Sequence, residues 1–285
     1  MNNLEITPSC TVVTGSSGRV GRALRCVWGD RVAGRPVVWS ARRADQPTDF
    51  VWDIGKSDPP PFPDGAIFLH LAGQIRGDAA ALAENRRSAQ VLCKVAEMSQ
   101  AAHVFLMSSG AVYAASAGPI FETQDPAPFS DYGRAKLEAE QVAQSILPPD
   151  RLTILRLGNL AGADALLSAA RMGPVVLDPI EGQPGGPERS YIGPRALAAV
   201  LQALISRAQS GGALPAILNI GQPPALAMAD LLQAYGADWS FGPPRKAAVP
   251  RVELCVDLLA GLIDVPQASA RTVVDDLASL DGQWP

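Results

Sequence analysis

Thr11-Val12-Val13-Thr14-Gly15-Ser16-Ser17-Gly18-Arg19-Val20-Gly21 is the stretch on which the reading of this chain turns. Four β-branched residues in a row predict a short strand buried on both faces. Glycines follow at intervals of three, and residues 19–28 carry the apolar spacing of a helix. A strand that ends in glycines and feeds a helix offers that helix's unpaired N–H groups and positive dipole end to an anion. Gly15 suits the tight turn, Gly18 lets the backbone approach a pyrophosphate, and Gly21 allows close helix packing. With Ser17, Arg19 and Val20 between and beside them, these glycines form an expected dinucleotide-binding turn.

Outward from the turn, short apolar runs alternate with longer helical ones. Strands are expected at 37–40, 66–71, 104–108, 152–157 and 217–220, and helices at 78–100, 131–146 and 195–208. Pro148 and Pro149 cannot continue the helix that begins at residue 131. The strands are continuous apolar runs, as in a parallel sheet covered by helices on both faces. The expected class is therefore α/β, a doubly wound parallel sheet with a small C-terminal substrate lobe. Residues 1–158, joined by 195–225, are read as the cofactor-binding domain, and 159–194 with 226–285 as the lobe. The Gly- and Pro-rich stretches 173–194 and 241–250 are read as loops of that lobe.

Composition narrows the function classes. Of 285 residues, 47% are hydrophobic and 18% charged, against about 25% charged in typical domains, which excludes a disordered chain. A net charge of −4 excludes the dense basic face of a nucleic-acid binder. No apolar run approaches the roughly 18 residues of a membrane span. Residues 1–10 lack the basic and apolar segments of a leader, so a cytoplasmic setting is expected. The scattered Cys10, Cys26, Cys93 and Cys255 read as small hydrophobes in a reducing compartment. With His70 and His103 the only histidines, no metal site is expected.

Tyr132-Gly133-Arg134-Ala135-Lys136 opens a helix and places its phenol and ammonium on one face, one turn apart. A neighbouring ammonium draws a phenol, ordinarily near pKa 10, toward the working range of an acid/base. The same lysine is placed to hold a nicotinamide ribose. Ser108 and Ser109 end the strand at 104–108, where ligands bind in open α/β sheets. At the end of the 37–40 strand, an NAD site would carry a carboxylate for the ribose hydroxyls. Here the chain reads Ser40-Ala41-Arg42-Arg43. A guanidinium grips a 2′-phosphate in a forked contact, so NADP(H) is preferred. NAD(H) remains open, with Asp45 or backbone groups serving the ribose.

The G-x-x-G-x-x-G spacing resembles the short-chain dehydrogenase/reductase superfamily. Asp53-Ile54, Leu71-Ala72-Gly73, Asn85, the segment Ser108-Ser109-Gly110-Ala111-Val112-Tyr113, Leu155 to Gly162, Arg189-Ser190-Tyr191-Ile192 and Asn219-Ile220-Gly221 extend the likeness. Together they look like the extended branch, the sugar-nucleotide epimerase/dehydratase/reductase family. The likeness covers most of residues 10–221, is specific in the first 160 and fades in the last 60. It implies a Rossmann-type sheet, with Asp53 and Ile54 at the adenine, Leu71, Ala72 and Gly73 beside the adenosine ribose, and Asn85 in the cofactor site. It further implies that Ser109, Tyr132 and Lys136 are catalytic, that Tyr132 and Lys136 also bind the cofactor, and that Ser109, Gly110, Asn159 and Arg189 meet substrate, Arg189 at a nucleotide phosphate.

The chain departs from the family at Gly193-Pro194-Arg195-Ala196, where His-Val-x-Asp is usual, and this leaves the substrate open. Gly110 and Ala111 stand where family dehydratases carry an acidic pair, which disfavours elimination. The implied activity is NADP(H)-dependent reduction of a keto group, that of a nucleotide-activated sugar, with a smaller ketone or aldehyde open. Alternatives are an NAD-dependent sugar-nucleotide epimerase and a non-catalytic NADP-binding sensor, a kind that generally lacks the tyrosine or lysine. The resemblance also implies a homodimer through helices 78–100 and 131–146. On the first, Leu82, Val91, Leu92, Val95 and Met98 form an apolar stripe equally suited to face the sheet.

Overall fold

The computed structural model describes residues 10–116, 118–245 and 248–280; of the segment read for a leader, all but Cys10 lies outside them. The first half runs β1 (Thr11–Thr14), α1 (Arg19–Trp28), β2 (Arg31–Val32), β3 (Arg35–Ala41), β4 (Phe50–Val51) and β5 (Ile67–His70). It continues through α2 (Ala79–Met98), β6 (His103–Ser109), a 3-10 turn at Gly110–Val112, α3 (Asp131–Gln144) and β7 (Leu152–Leu157). Then come β8 (Asn159–Leu160), α4 (Ala165–Ala170), β9 (Val175–Leu177), β10 (Glu188–Ile192), α5 (Pro194–Gln209) and β11 (Ile217–Ile220). The chain ends with β12 (Gln222–Ala227), α6 (Met228–Tyr235), β13 (Trp239–Phe241), β14 (Arg251–Val252), α7 (Asp257–Ala260) and α8 (Ala270–Ala278).

Eight strands form the main sheet in the order β11-β7-β6-β5-β1-β3-β2, with β4 beside β3. All pairs are parallel except the β2–β3 hairpin. Successive strand residues alternate faces. Val13, Leu69, Phe105 and Leu155 pack on the side of α1 and α5, and Val12, Phe68, Val104 and Ile154 on the side of α2 and α3. Asp78 starts α2 by accepting the Ala81 N–H at 2.9 Å, and Ser130 starts α3 by accepting that of Gly133 at 3.0 Å. Of the expected stripe on α2, Leu82 and Leu92 are buried, Val91 and Val95 are partly so, and Met98 is 82% exposed.

The strand order reverses at β1, which has β3 on one side and β5 on the other. A crevice opens at the carboxyl ends of such a pair. Beside it stands a smaller sheet, β12-β10-β14 with β8 on β10, while β9 pairs with β13. The reading of 173–194 as loop is corrected here, since it contains β9 and β10. Only Ser190, Tyr191 and Ile192 of β10 are buried, and the polar Glu188-Arg189 start behind Pro187 hides the strand from pattern. Residues 241–250 likewise begin inside β13, and 246–247 lie outside the described residues. All four cysteines are free thiols. Among the described residues no helix is long and apolar enough to cross a membrane.

Candidate active site

The glycine turn is built by contact rather than by flexibility alone. Gly15 has φ 78°, and a Cβ there would lie 2.5 Å from the Ala72 N. The turn after β1 therefore presses on the loop after β5, and only glycine fits. A Cβ on Gly21 would lie 2.6 Å from the Gly15 carbonyl oxygen, so α1 packs directly against the turn. No side chain caps α1, whose N-cap is Gly18. This cradle has the backbone donors and close approach that a dinucleotide pyrophosphate requires.

Two cavities meet at the turn. One, about 260 Å³, is lined by Gly15, Ser17, Gly18, Arg42, Asp53, Ile54 and the Leu71–Ala72–Gly73 loop. The other, about 270 Å³, runs from Gly18, Arg19, Val20 and Gly21 to Ser109, Tyr132, Lys136 and Asn159. Both include Gly15, Gly18, Leu71 and Gly73, which makes one groove along the carboxyl edge. Arg43 does not line it and pairs with Asp45 at 3.3 Å on the surface. Asn85 acts through the loop: its Oδ1 accepts the Gln74 N–H at 3.0 Å, and its Nδ2 donates to the Gln74 and Leu82 carbonyls. A Cβ on Gly73 would lie 2.5 Å from Asn85 Oδ1 and 3.1 Å from Lys136 Nζ.

At the far end of the groove, α3 meets the 3-10 turn that follows β6. A Cβ on Gly133 would lie 2.2 Å from the Ala111 carbonyl oxygen, so glycine lets the first turn of α3 close on it. The closure sets Tyr132 beside Ser109 in the wall of the groove. Burial raises the Tyr132 pKa, while the Ser109 hydrogen bond and the charge of Arg19 pull it down. Lys136 is turned the other way, its Nζ donating to the Met107 carbonyl at 2.9 Å. The sequence reading assigned the downward pull on the phenol to this lysine; the pull comes instead from Ser109 and Arg19. Burial pushes Lys136 itself down to about 8, against the opposing influence of Glu140. Beside it His70, buried and pushed down to about 3, stays neutral and meets Thr14 Oγ1 at 2.7 Å.

A third cavity, about 280 Å³, lies beyond Tyr132 and shares Ser109, Tyr132, Leu157, Gly158 and Asn159 with the groove. Gly110 and Arg189 also line it, and Phe129, Met228, Val252 and Leu254 form its apolar wall. Asn159 Nδ2 donates to the Ser190 carbonyl at 3.4 Å. Arg189 donates to the carbonyls of Glu188, Val249 and Pro250, which leaves part of its guanidinium edge toward the cavity.

Sequence reasoning missed the polar cluster behind this site. Glu140 and Arg156 form a fully buried ion pair at 2.7 Å, tied to Ser108, Tyr113 and Asn219. An arginine inside the apolar strand Leu152-Thr153-Ile154-Leu155-Arg156-Leu157 was the signal available.

The model of the NAD dependent epimerase/dehydratase family matches residues 66–221. No curated protein matches the sequence. Among solved structures, UDP-glucose 4-epimerase from Brucella ovis in complex with NAD superposes with a TM-score of 0.77 at 19% identity, over 96% of this chain and 98% of that one. MoeE5 in complex with UDP-glucuronic acid and NAD gives 0.75 at 21% identity, over 94% and 97%. DesIV, a dTDP-glucose 4,6-dehydratase from Streptomyces venezuelae with NAD and TYD bound, gives 0.69 at 19%, over 96% and 98%. At these identities the likeness is one of fold.

Proposed function

Because the chain belongs to the NAD-dependent epimerase/dehydratase family, we propose that it catalyses NADP(H)-dependent reduction of a keto group carried by a nucleotide-activated sugar. The observation that supports this reading is that Tyr132 and Ser109 stand in the wall shared by the cofactor groove and the third cavity. A carbonyl entering from the third cavity meets both hydroxyls. When bound, the nicotinamide supplies the hydride for the carbonyl carbon. Tyr132, kept protonated by burial, donates its phenolic proton to the carbonyl oxygen. Ser109 hydrogen-bonds that oxygen and fixes its direction. Lys136, which lines the groove with Tyr132, would hold the nicotinamide ribose. Among the described residues no Asp or Glu lines the third cavity, which disfavours elimination.

Arg42, in the groove wall where β3 ends, is the residue for a 2′-phosphate, and Asp45 is already paired with Arg43. Gly15, Ser17, Gly18, Arg19, Val20 and Gly21 hold the pyrophosphate, Asp53 and Ile54 the adenine, and Leu71, Ala72 and Gly73 the ribose. Gly110, Asn159 and Arg189 receive the substrate, with 159–194 and 226–285 acting as the substrate lobe. A homodimer through α2 and α3, in the cytoplasm, completes the proposal. It is tested by NADPH consumption with a panel of keto sugar nucleotides and simple ketones. Tyr132→Phe should cut turnover about 1,000-fold with cofactor affinity unchanged; full activity in that variant would overturn the mechanism.

A further inference from the structure

We propose that Glu140 is a positioning residue whose carboxylate keeps the Lys136 side chain charged and, through Ser108 and Arg156, locks α3 to β6 and β7 in the register that sets Tyr132 beside Ser109. The inference rests on the reading of Lys136 as the residue that holds the nicotinamide ribose. Glu140 follows Lys136 by four residues, so the two share one helix face and lie one turn apart. Both are buried, at 1% and 7% exposure.

The carboxylate is held by two side chains, Ser108 and Arg156. Ser108, next to Ser109 on β6, donates its hydroxyl to Oε1. Arg156 on β7 donates from Nε at 3.2 and 3.3 Å and from Nη2 at 2.7 Å. Arg156 Nη1 reaches the Tyr113 hydroxyl at 2.8 Å, and that hydroxyl donates to Asn219 Oδ1 of β11 at 3.0 Å. Lys136 Nζ, donating to Met107 on the same β6, makes a second tie between helix and strand. Desolvating two charges gives little net stability that an apolar pair would not match. A second buried cation one helical turn away gives the negative charge a use.

The groups around Lys136 leave Glu140 as the anion that sustains its charge. On its own helix stand Tyr132 and Glu140. From β5 comes His70, uncharged above about pH 3; from α2, the amide of Asn85; from β6, the Met107 carbonyl. Arg156 of β7 lies behind Glu140, and Arg19, Arg76 and Asp164 line the groove that Lys136 lines, Asp164 being taken up by the N–H groups of Gly162, Leu166 and Leu167. Burial has brought the lysine down to about 8, with Glu140 acting upward. Without the carboxylate, the ammonium would lose its proton more readily.

The chain has four lysines, Lys56, Lys94, Lys136 and Lys246, so isotopic labelling at lysine Cε gives a resolvable titration by NMR, with Lys136→Arg assigning the signal. In the full chain Glu140→Gln should lower the Lys136 midpoint by about one pH unit or more, and Glu140→Asp should restore most of it. If the single variant fails to fold, the double variant Glu140→Gln, Arg156→Met leaves no unpaired buried charge; because it also removes the more distant Arg156 cation, a drop in the same direction but smaller is expected. A merely structural role would lower the melting temperature and leave the midpoint unmoved, and an unmoved midpoint in either folded variant overturns the proposal. The titration needs neither substrate nor cofactor. Failure to reduce ketones would therefore count against the proposed reaction alone, and an unmoved midpoint against the role of Glu140 alone.

Discussion

The carboxyl edge of the main sheet and the small sheet built on β10 face each other across Tyr132, and they use their polar groups differently. Along the edge, the turn at Gly15, the loop at Gly73 and the hydroxyl of Ser109 leave backbone and side-chain groups directed into open cavities. In the small sheet, Arg189 is committed to three carbonyls, Ser190 Oγ accepts the Leu254 N–H at 2.8 Å, and Arg251 pairs with both Glu188 and Glu253. One side presents chemistry and the other is self-satisfied, with an apolar wall toward the cavity. Recognition on that side then rests on shape and on a few partly free donors. This difference explains why the sheet edge carries recognisable motifs and the small sheet does not.

The comparison breaks most visibly at Gly15. Gly15→Val forces a β-branched residue into φ 78° and against the Ala72 backbone; calorimetry should find dinucleotide affinity reduced by about 100-fold or more. Arg42→Leu probes the same edge more selectively. NADPH affinity should fall by about tenfold or more, the worth of a charge-assisted contact, while NADH affinity stays level. Equal losses for both would remove the 2′-phosphate assignment. The lysine of the edge sets a pH limit. Lys136 is protonated below its pKa of about 8 and neutral above it, so turnover in the reductive direction should fall as pH rises through 8; a pH–rate profile checks this. On the opposite side, Arg189→Met removes the donor of three carbonyls. Thermal unfolding should report a loss of about 1–3 kcal/mol, with cofactor affinity unchanged.

The same contrast governs how much could be read from residues alone. The strand-turn-helix at 11–28 was legible because each position answers a local demand: Gly15 for a positive φ, Gly21 for helix packing, β-branched residues for a doubly buried strand. Ser109, Tyr132 and Lys136 were legible as types and spacings, but their orientations were not. That Lys136 donates to Met107 while Arg19 and Ser109 act on the phenol depends on how α3 closes over Gly133. β10 was misread as loop because its strand character comes from β8, β12 and β14, partners distant in sequence, while its own first residues are charged. Glu140 and Arg156 each look ordinary in one dimension. Their burial is legible only when α3 is laid against β7.

The most direct test follows deuterium from NADPH dideuterated at C4 during turnover of a keto sugar nucleotide. One deuterium is expected at the reduced carbon of each product, with net consumption of NADPH, and both should be lost in Tyr132→Phe. Product that carries no label, or a sugar epimerised while the cofactor is conserved, would contradict the proposed reduction.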